Sequence, residues 1–292
     1  MNRILLIFIC IIAGHSISMA QQAYSFIPIT TSNYTGNIIS TDDQGNIFVG
    51  DKAKLTKLDI NGKFIANYRP AIQGKISGID AKDPRRILLY YKKYAFVQFL
   101  NQELASAASL STYSVNSTPV PVDLAKLNLD YASLVCLDTY NEEYWVYDEN
   151  TTDIVLIDKE NQIDFRADDL GQLMDEDPDP NFMIMEGNRL FINNPSTGVY
   201  IFDENGSFVR ILPLMGLKKI QAYKDLLFYT TSNTLIVHHL QTGEESYNPL
   251  PVLGFHDWTL SQYTNPMRIS FLTPDGVLSY SLDKIEKVQI NK

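Results

Sequence analysis

The sequence predicts an all-β fold closed into a ring, a six-bladed β-propeller with four antiparallel strands in each blade. Three observations carry this expectation. A strand, turn and strand unit recurs at intervals of roughly 40 to 50 residues, the period of such a blade. The runs between turns are rich in β-branched and aromatic residues. No stretch sustains a helical apolar period with caps at its ends.

The unit is clearest twice, as "QGNIFVGDKAKLTKLDINGKFIANY" at 44–68 and "EGNRLFINNPSTGVYIFDENGSFVRIL" at 186–212. Both run Gly-Asn, an apolar strand, a polar break, a second strand ending in an apolar residue and Asp, then Asn-Gly and a third strand. Asn61-Gly62 and Asn205-Gly206 read as two-residue hairpin turns, in which both residues take positive φ. Weaker copies of the same turn fall at Asn101, Asp158, Gln241 and Asp283, which with Asp59 and Asp203 make six markers separated by 42, 57, 45, 38 and 42 residues. The long second gap predicts an insertion between blades near 110–128, where Pro119 and Pro121 interrupt pairing.

Other segments agree. "ILLYYKKYAFVQFL" at 87–100, "LIVHHL" at 235–240 and "RISFLTPDGVLSYSL" at 268–282 read as strands bounded by turn residues. "QELASAASL" from 102 and "DLAKLNLDYASLV" from 123 have helical composition without periodicity. A ring must also close. "AYSFIPIT" at 23–30 is a surplus strand ahead of the first unit, so it is expected to pair with the final blade, built from "WTLSQY", "RISFL", "VLSYSL" and "EKVQI", and to cover an edge that would otherwise invite aggregation.

In its Gly-Asn, "IFV" and apolar-Asp-x-x-Gly pattern the chain resembles the six-bladed propeller families related to NHL-type repeats. That resemblance implies a fold and leaves the function open.

The first twenty residues, "MNRILLIFICIIAGHSISMA", read as a secretory signal peptide cut before Gln21. Arg3 forms the basic end, Ile4 to Gly14 the apolar run, and Ser18 with Ala20 the small residues at the cleavage site. That run of about eleven residues is short of a membrane span. Residues 21–292 are then expected to form one propeller domain in the periplasm or beyond, with no transmembrane segment in the mature chain. The formal charge of the full chain is −10, from 24 Lys and Arg against 34 Asp and Glu, which disfavours nucleic acid as a partner. Only Cys136 remains after cleavage, so no intramolecular disulfide is expected despite export.

No nucleophile elbow, phosphate loop, zinc spacing or CxxC motif is present, and the sequence implies no cofactor. His238 and His239 are adjacent and so point to opposite faces of a strand. His256-Asp257 has the composition of an oriented imidazole but no nucleophile beside it in sequence. Cys136 reads as a small buried hydrophobe. Trp145, within the tyrosine-rich 140–150, reads as packing between blades, with a sugar platform as the alternative. The segment "DDLGQLMDEDPDP" at 168–180 is unusual: Asp168, Asp169, Asp175, Glu176, Asp177 and Asp179 stand within it without a base. It lacks the spacing of a tight calcium loop, and reads as a solvated loop or as a dock for a basic partner surface.

Three functional readings follow. The first is a non-enzymatic interaction scaffold of the bacterial cell envelope, binding envelope proteins of a membrane-associated complex through Asp168 to Asp179. The cleavage region and the Asn, Ile, Lys and Tyr usage look like those of exported Bacteroidota proteins. The length and single-propeller layout resemble the PorD-type component of the type IX protein secretion machinery. The second is a lactonase-like or lyase-like enzyme with an axial metal, for which Asn37, Asp80, Asp138 and Glu186 are scattered candidates. The third is a glycan binder using Trp145 or Trp258.

Overall fold

A computed structural model describes residues 23–52, 54–70, 74–105, 121–138, 141–167, 170–174 and 178–285. Their strands form six four-stranded antiparallel sheets arranged in a ring. The N-terminal strand β1 (Tyr24–Ser32) precedes blade 1, which contains β2 (Ile38–Thr41), β3 (Ile47–Asp51), β4 (Lys54–Leu58) and β5 (Phe64–Tyr68). Blade 2 holds β6 (Gly78–Asp80), β7 (Ile87–Tyr91), β8 (Phe96–Leu100) and β9 (Val122–Asp123). Blade 3 holds β10 (Ala132–Asp138), β11 (Glu143–Asp148), β12 (Asp153–Ile157) and β13 (Ile163–Ala167). Blade 4 holds β14 (Phe182–Glu186), β15 (Arg189–Asn194), β16 (Gly198–Asp203) and β17 (Phe208–Leu212). Blade 5 holds β18 (Ile220–Tyr223), β19 (Leu226–Thr230), β20 (Thr234–His239) and β21 (Glu245–Pro249). Blade 6 holds β22 (Asp257–Ser261), β23 (Met267–Thr273) and β24 (Gly276–Lys284), and β1 completes it.

The expected closure is what forms. β1 pairs with β24 from Tyr24 opposite Lys284 to Ser32 opposite Val277, so the first and last strands share one blade. Asp283 therefore lies inside a strand and marks no turn. Glu286 to Ile290, expected as a further strand, lie outside the described residues.

The recurring turn is real, and its geometry differs from the expected two-residue hairpin. At Asp59 the backbone N–H donates to Lys63 O (2.7 Å) and Gly62 N–H donates to Asp59 O (2.9 Å). The Asp59 carboxylate accepts from the N–H groups of Asn61 (2.9 Å) and Lys63 (2.8 Å). Asp203 repeats the pattern with Ser207, Gly206 and Asn205. Each is a three-residue loop closed by a left-handed residue, so only Gly62 and Gly206 take positive φ, both +76°. Asn101 and Asp158 lead the same turn, with Leu104 (φ 61°) and Asn161 (φ 59°) in the left-handed position. In blade 5 the leading residue is His239 rather than the neighbourhood of Gln241. Its Nδ1 accepts from Gln241 and Thr242 N–H, and Gly243 supplies the positive φ.

The extra length in the second interval lies inside blade 2, between β8 and β9, and not between blades. β9 pairs with β8 only at Phe96 opposite Asp123 and Val97 opposite Val122. A two-residue edge strand imposes little on the chain that leads to it. Helix among the described residues is limited to single turns at Lys92–Tyr94, Leu124–Leu127 and Gly171–Met174.

The core lies between blades. One cluster joins Leu88, Val97 and Phe99 of blade 2 to Tyr144, Val146 and Val155 of blade 3, and equivalent clusters fill the other interfaces. A middle strand is covered on both faces, which is why β7, β12 and most of β15 are buried without alternation. The turns also join neighbours. Lys57 of blade 1 donates to Gln102 O (2.8 Å), and Arg268 of blade 6 donates to Ile60 O (2.7 Å). Each carbonyl belongs to the residue that follows a turn-leading Asn or Asp.

Candidate functional site

The innermost strands β2, β6, β10, β14, β18 and β22 surround an axial cavity of about 760 Å³. It is lined by the N-terminal parts of these strands and by the connections leading into them, including Lys75 to Ser77, Met215 to Lys219 and Gly254 to His256. Those connections cross from the outermost strand of one blade to the innermost strand of the next, so the cavity opens on the face they form.

At the opposite end of the inner strands, side chains from three alternate blades meet. Lys82 Nζ of blade 2 lies 2.8 Å from Glu186 Oε2 of blade 4 and also donates to Met185 O. Gln262 of blade 6 donates to the same Glu186 oxygen (2.8 Å), and Tyr263 OH lies 3.4 Å from the carboxylate. Burial alone would lower the Lys82 pKa, but the carboxylates of Glu186 and Asp80 outweigh it and hold the ammonium above its ordinary value.

The inner strands are tied side to side. Asp257 accepts from Ile39 N–H (2.9 Å), Trp258 N–H (2.8 Å) and Lys219 Nζ (2.8 Å), joining blades 5, 6 and 1. Asp80 accepts from Leu137 N–H (2.9 Å), joining blades 2 and 3. Thr41 and Thr259 share a hydrogen bond of 3.1 Å between blades 1 and 6.

These bonds place the candidates drawn from sequence. Asn37 donates to Asp51 (3.0 Å) at the entrance. Asp80 and Glu186 both face Lys82, and Asp138 accepts from Asn141 (3.4 Å). The four do not converge, and among the described residues no group of three His, Cys, Asp or Glu side chains could hold a metal ion. The Asp257 carboxylate turns to Lys219 and two backbone amides and leaves His256 unoriented. His238 pairs with Glu245 (3.1 Å), and His239 completes its turn.

Cys136 lines the cavity and is buried, and that burial raises its thiol well above the ordinary pKa. Trp145 and Trp258 are buried between blades, so neither offers a sugar an open ring face. Asp168, Asp169, Asp175, Glu176 and Asp177 lie outside the described residues. Asp179, at the end of that connection, is exposed.

The three most exposed large hydrophobic side chains among the described residues carry no signal in the sequence. Leu253 is 67% exposed, Met215 63% and Tyr131 57%. Each lies in a connection between consecutive blades, on the face where the cavity opens. A single apolar residue in a polar loop has no periodicity to mark it, so only the topology brings them to one face.

No family model matches the chain, and no curated protein matches it. Solved structures match in fold. The WD40 domain of Neurospora crassa Pan2 aligns with a TM-score of 0.55 at 10% identity, covering 92% of this chain and 98% of that one. Streptogramin B lyase aligns at 0.54 with 14% identity, covering 91% and 90%. PorZ, a surface component of the type-IX secretion system of Porphyromonas gingivalis, aligns at 0.48 with 9% identity, covering 91% of this chain and 40% of that one, a distance at which the likeness bears on no functional argument. At these identities what the chain shares with the first two is the fold alone.

Proposed function

We propose that the chain is a non-enzymatic interaction propeller of the bacterial cell envelope, and that it holds a partner protein on the face where the axial cavity opens. The observation that carries this reading is that Leu253, Met215 and Tyr131, the most exposed large hydrophobics among the described residues, all lie in connections on that face. Loops on a rigid ring are suited to carry recognition residues, and these connections present apolar side chains to a partner. The enzymatic alternative draws less support, because Asp80 and Glu186 are engaged with Lys82.

Export rests on the leader pattern of residues 1–20. The type IX secretion machinery is the assembly we propose the chain serves, on the resemblance of its length and single-propeller layout to the PorD-type component. Asp168 to Asp179 stand between β13 and β14 in the sequence, and we propose that they add a contact to a basic part of the same partner.

The test is capture of the tagged full-length chain from the envelope of its host, with N-terminal sequencing of the captured chain. We expect a chain beginning at Gln21 and a reproducible set of envelope proteins. A chain beginning at Met1 would contradict export. A stoichiometric divalent ion with no bound protein would favour the enzyme.

A further inference from the structure

One polar side chain lines the axial cavity from β18. Gln221 lies on β18 between Ile220 and Ala222, both fully buried, and the alternation of the strand turns its side chain toward the axis. The residue is 7% exposed and lines the cavity, and its side-chain amide is not among the groups sealed from solvent without a partner, so it opens on that space. Ser133 Oγ, buried and without a partner, borders the same space. A polar group that borders such a space bonds there to water or to whatever enters it. The Gln221 amide, with one donor side and one acceptor side, is matched by a peptide unit, which carries one of each.

The walls around it are apolar, with Ile39, Ile79, Val135 and Ile184 among the lining residues. The entrance is basic although the chain as a whole is acidic. Lys75 and Lys218 are exposed there and make no ion pair among the described residues. The two lining carboxylates are engaged, Asp257 with Lys219 and Asp80 with the N–H groups of Leu137 and Lys82. Asp179 is on the same face but outside the lining.

We infer that the cavity receives the tip of a partner polypeptide, an apolar side chain flanked by carboxylates, with Gln221 bonded to its backbone and Lys75 and Lys218 to its acids. This rests on the interaction reading above and specifies the occupant of the same site. Apolar walls suit the central side chain, and the unpaired lysines favour acidic flanks over basic ones.

The probes are fluorescent end-blocked pentapeptides titrated against the purified full chain: Glu-Asp-Leu-Asp-Glu, its charge-swapped form Lys-Lys-Leu-Lys-Lys, and Glu-Asp-Ser-Asp-Glu. The acidic leucine peptide should bind at least about tenfold more tightly than either other. Gln221→Leu should weaken it by about threefold to tenfold. Lys75→Glu with Lys218→Glu, both at exposed positions, should reverse the charge preference at an unchanged Tm.

Equal binding of all three peptides, or undiminished binding to both variants, overturns the proposal. Envelope capture separates it from the reading it rests on. Partners lost with Met215→Asp and Leu253→Asp but retained with Gln221→Leu and the lysine variant would leave the interaction face standing and remove this occupant. Partners retained in every variant would remove both.

Discussion

Lys82 Nζ in blade 2 and Glu186 Oε2 in blade 4 lie 2.8 Å apart, so one ion pair links alternate blades at the end of the axis opposite the cavity entrance. Both side chains are nearly buried, at 14% and 6% exposure, and Gln262 of blade 6 binds the same carboxylate. Removing Lys82 leaves the Glu186 carboxylate buried without a cation, and removing Glu186 leaves Lys82 only the Asp80 carboxylate. Lys82→Met or Glu186→Leu should each cost about 3–5 kcal/mol in urea unfolding. The double replacement should cost less than either single one, and a double variant as unstable as the sum of the two would contradict this account.

The pair also gives alkaline pH a direction. Lys82 is held above its ordinary value by Glu186 and Asp80, so its contribution is present below about pH 10 and is lost as pH rises through the raised folded value. Burial pushes Tyr147 up to about 12 and raises Tyr90, Tyr91 and Tyr144 as well. The unfolded chain releases those protons first, so these terms share the same sign. Stability should fall above about pH 10, with tyrosinate absorbance developing together with loss of structure. Full ionisation of the tyrosines in an intact ring would refute the assignment.

Gly206 and Gly62 share a φ of +76° but not their surroundings. A Cβ at Gly206 would stand 2.4 Å from Phe165 of blade 3, whereas at Gly62 the nearest atoms, on Thr30, are 3.2 Å away. Gly206→Val should lose about 1–3 kcal/mol from backbone strain alone, and more from the contact. Gly206→Ala should be costlier than Gly62→Ala in urea unfolding. The reverse order would mean that the clash with Phe165 is relieved at no cost.

The blades were legible because each turn is local: Asp203 reaches no further than Ser207, and four residues are enough to show it. Substitutes obscured the turn where chemistry allowed them, as with the His239 ring in place of a carboxylate and Leu104 in place of Gly. The axial network was not legible, since Lys82 and Glu186 are 104 residues apart and Gln262 a further 76 from Glu186. Nothing local distinguishes those residues from surface ones. Gln221 likewise reads as an ordinary strand residue until the ring turns it inward.

The closing strand ties the ends of the chain together, and Asn248 of blade 5 adds acceptor bonds from Ala23 and Tyr24 N–H at 3.0 and 2.8 Å. A chain truncated to start at Ser32 should lose Tm and unfold less cooperatively, because β24 becomes an open edge. An unchanged melting transition would show that closure does not depend on β1.

We propose that the cavity-bearing face binds a protein. The most direct test is quantitative capture of envelope proteins by the tagged chain and by a Met215→Asp, Leu253→Asp variant, with Tm measured on both. We predict a loss of at least about tenfold in the captured partner at an unchanged Tm, as expected when central apolar anchors are replaced by charge. Equal capture by the two proteins would contradict the account.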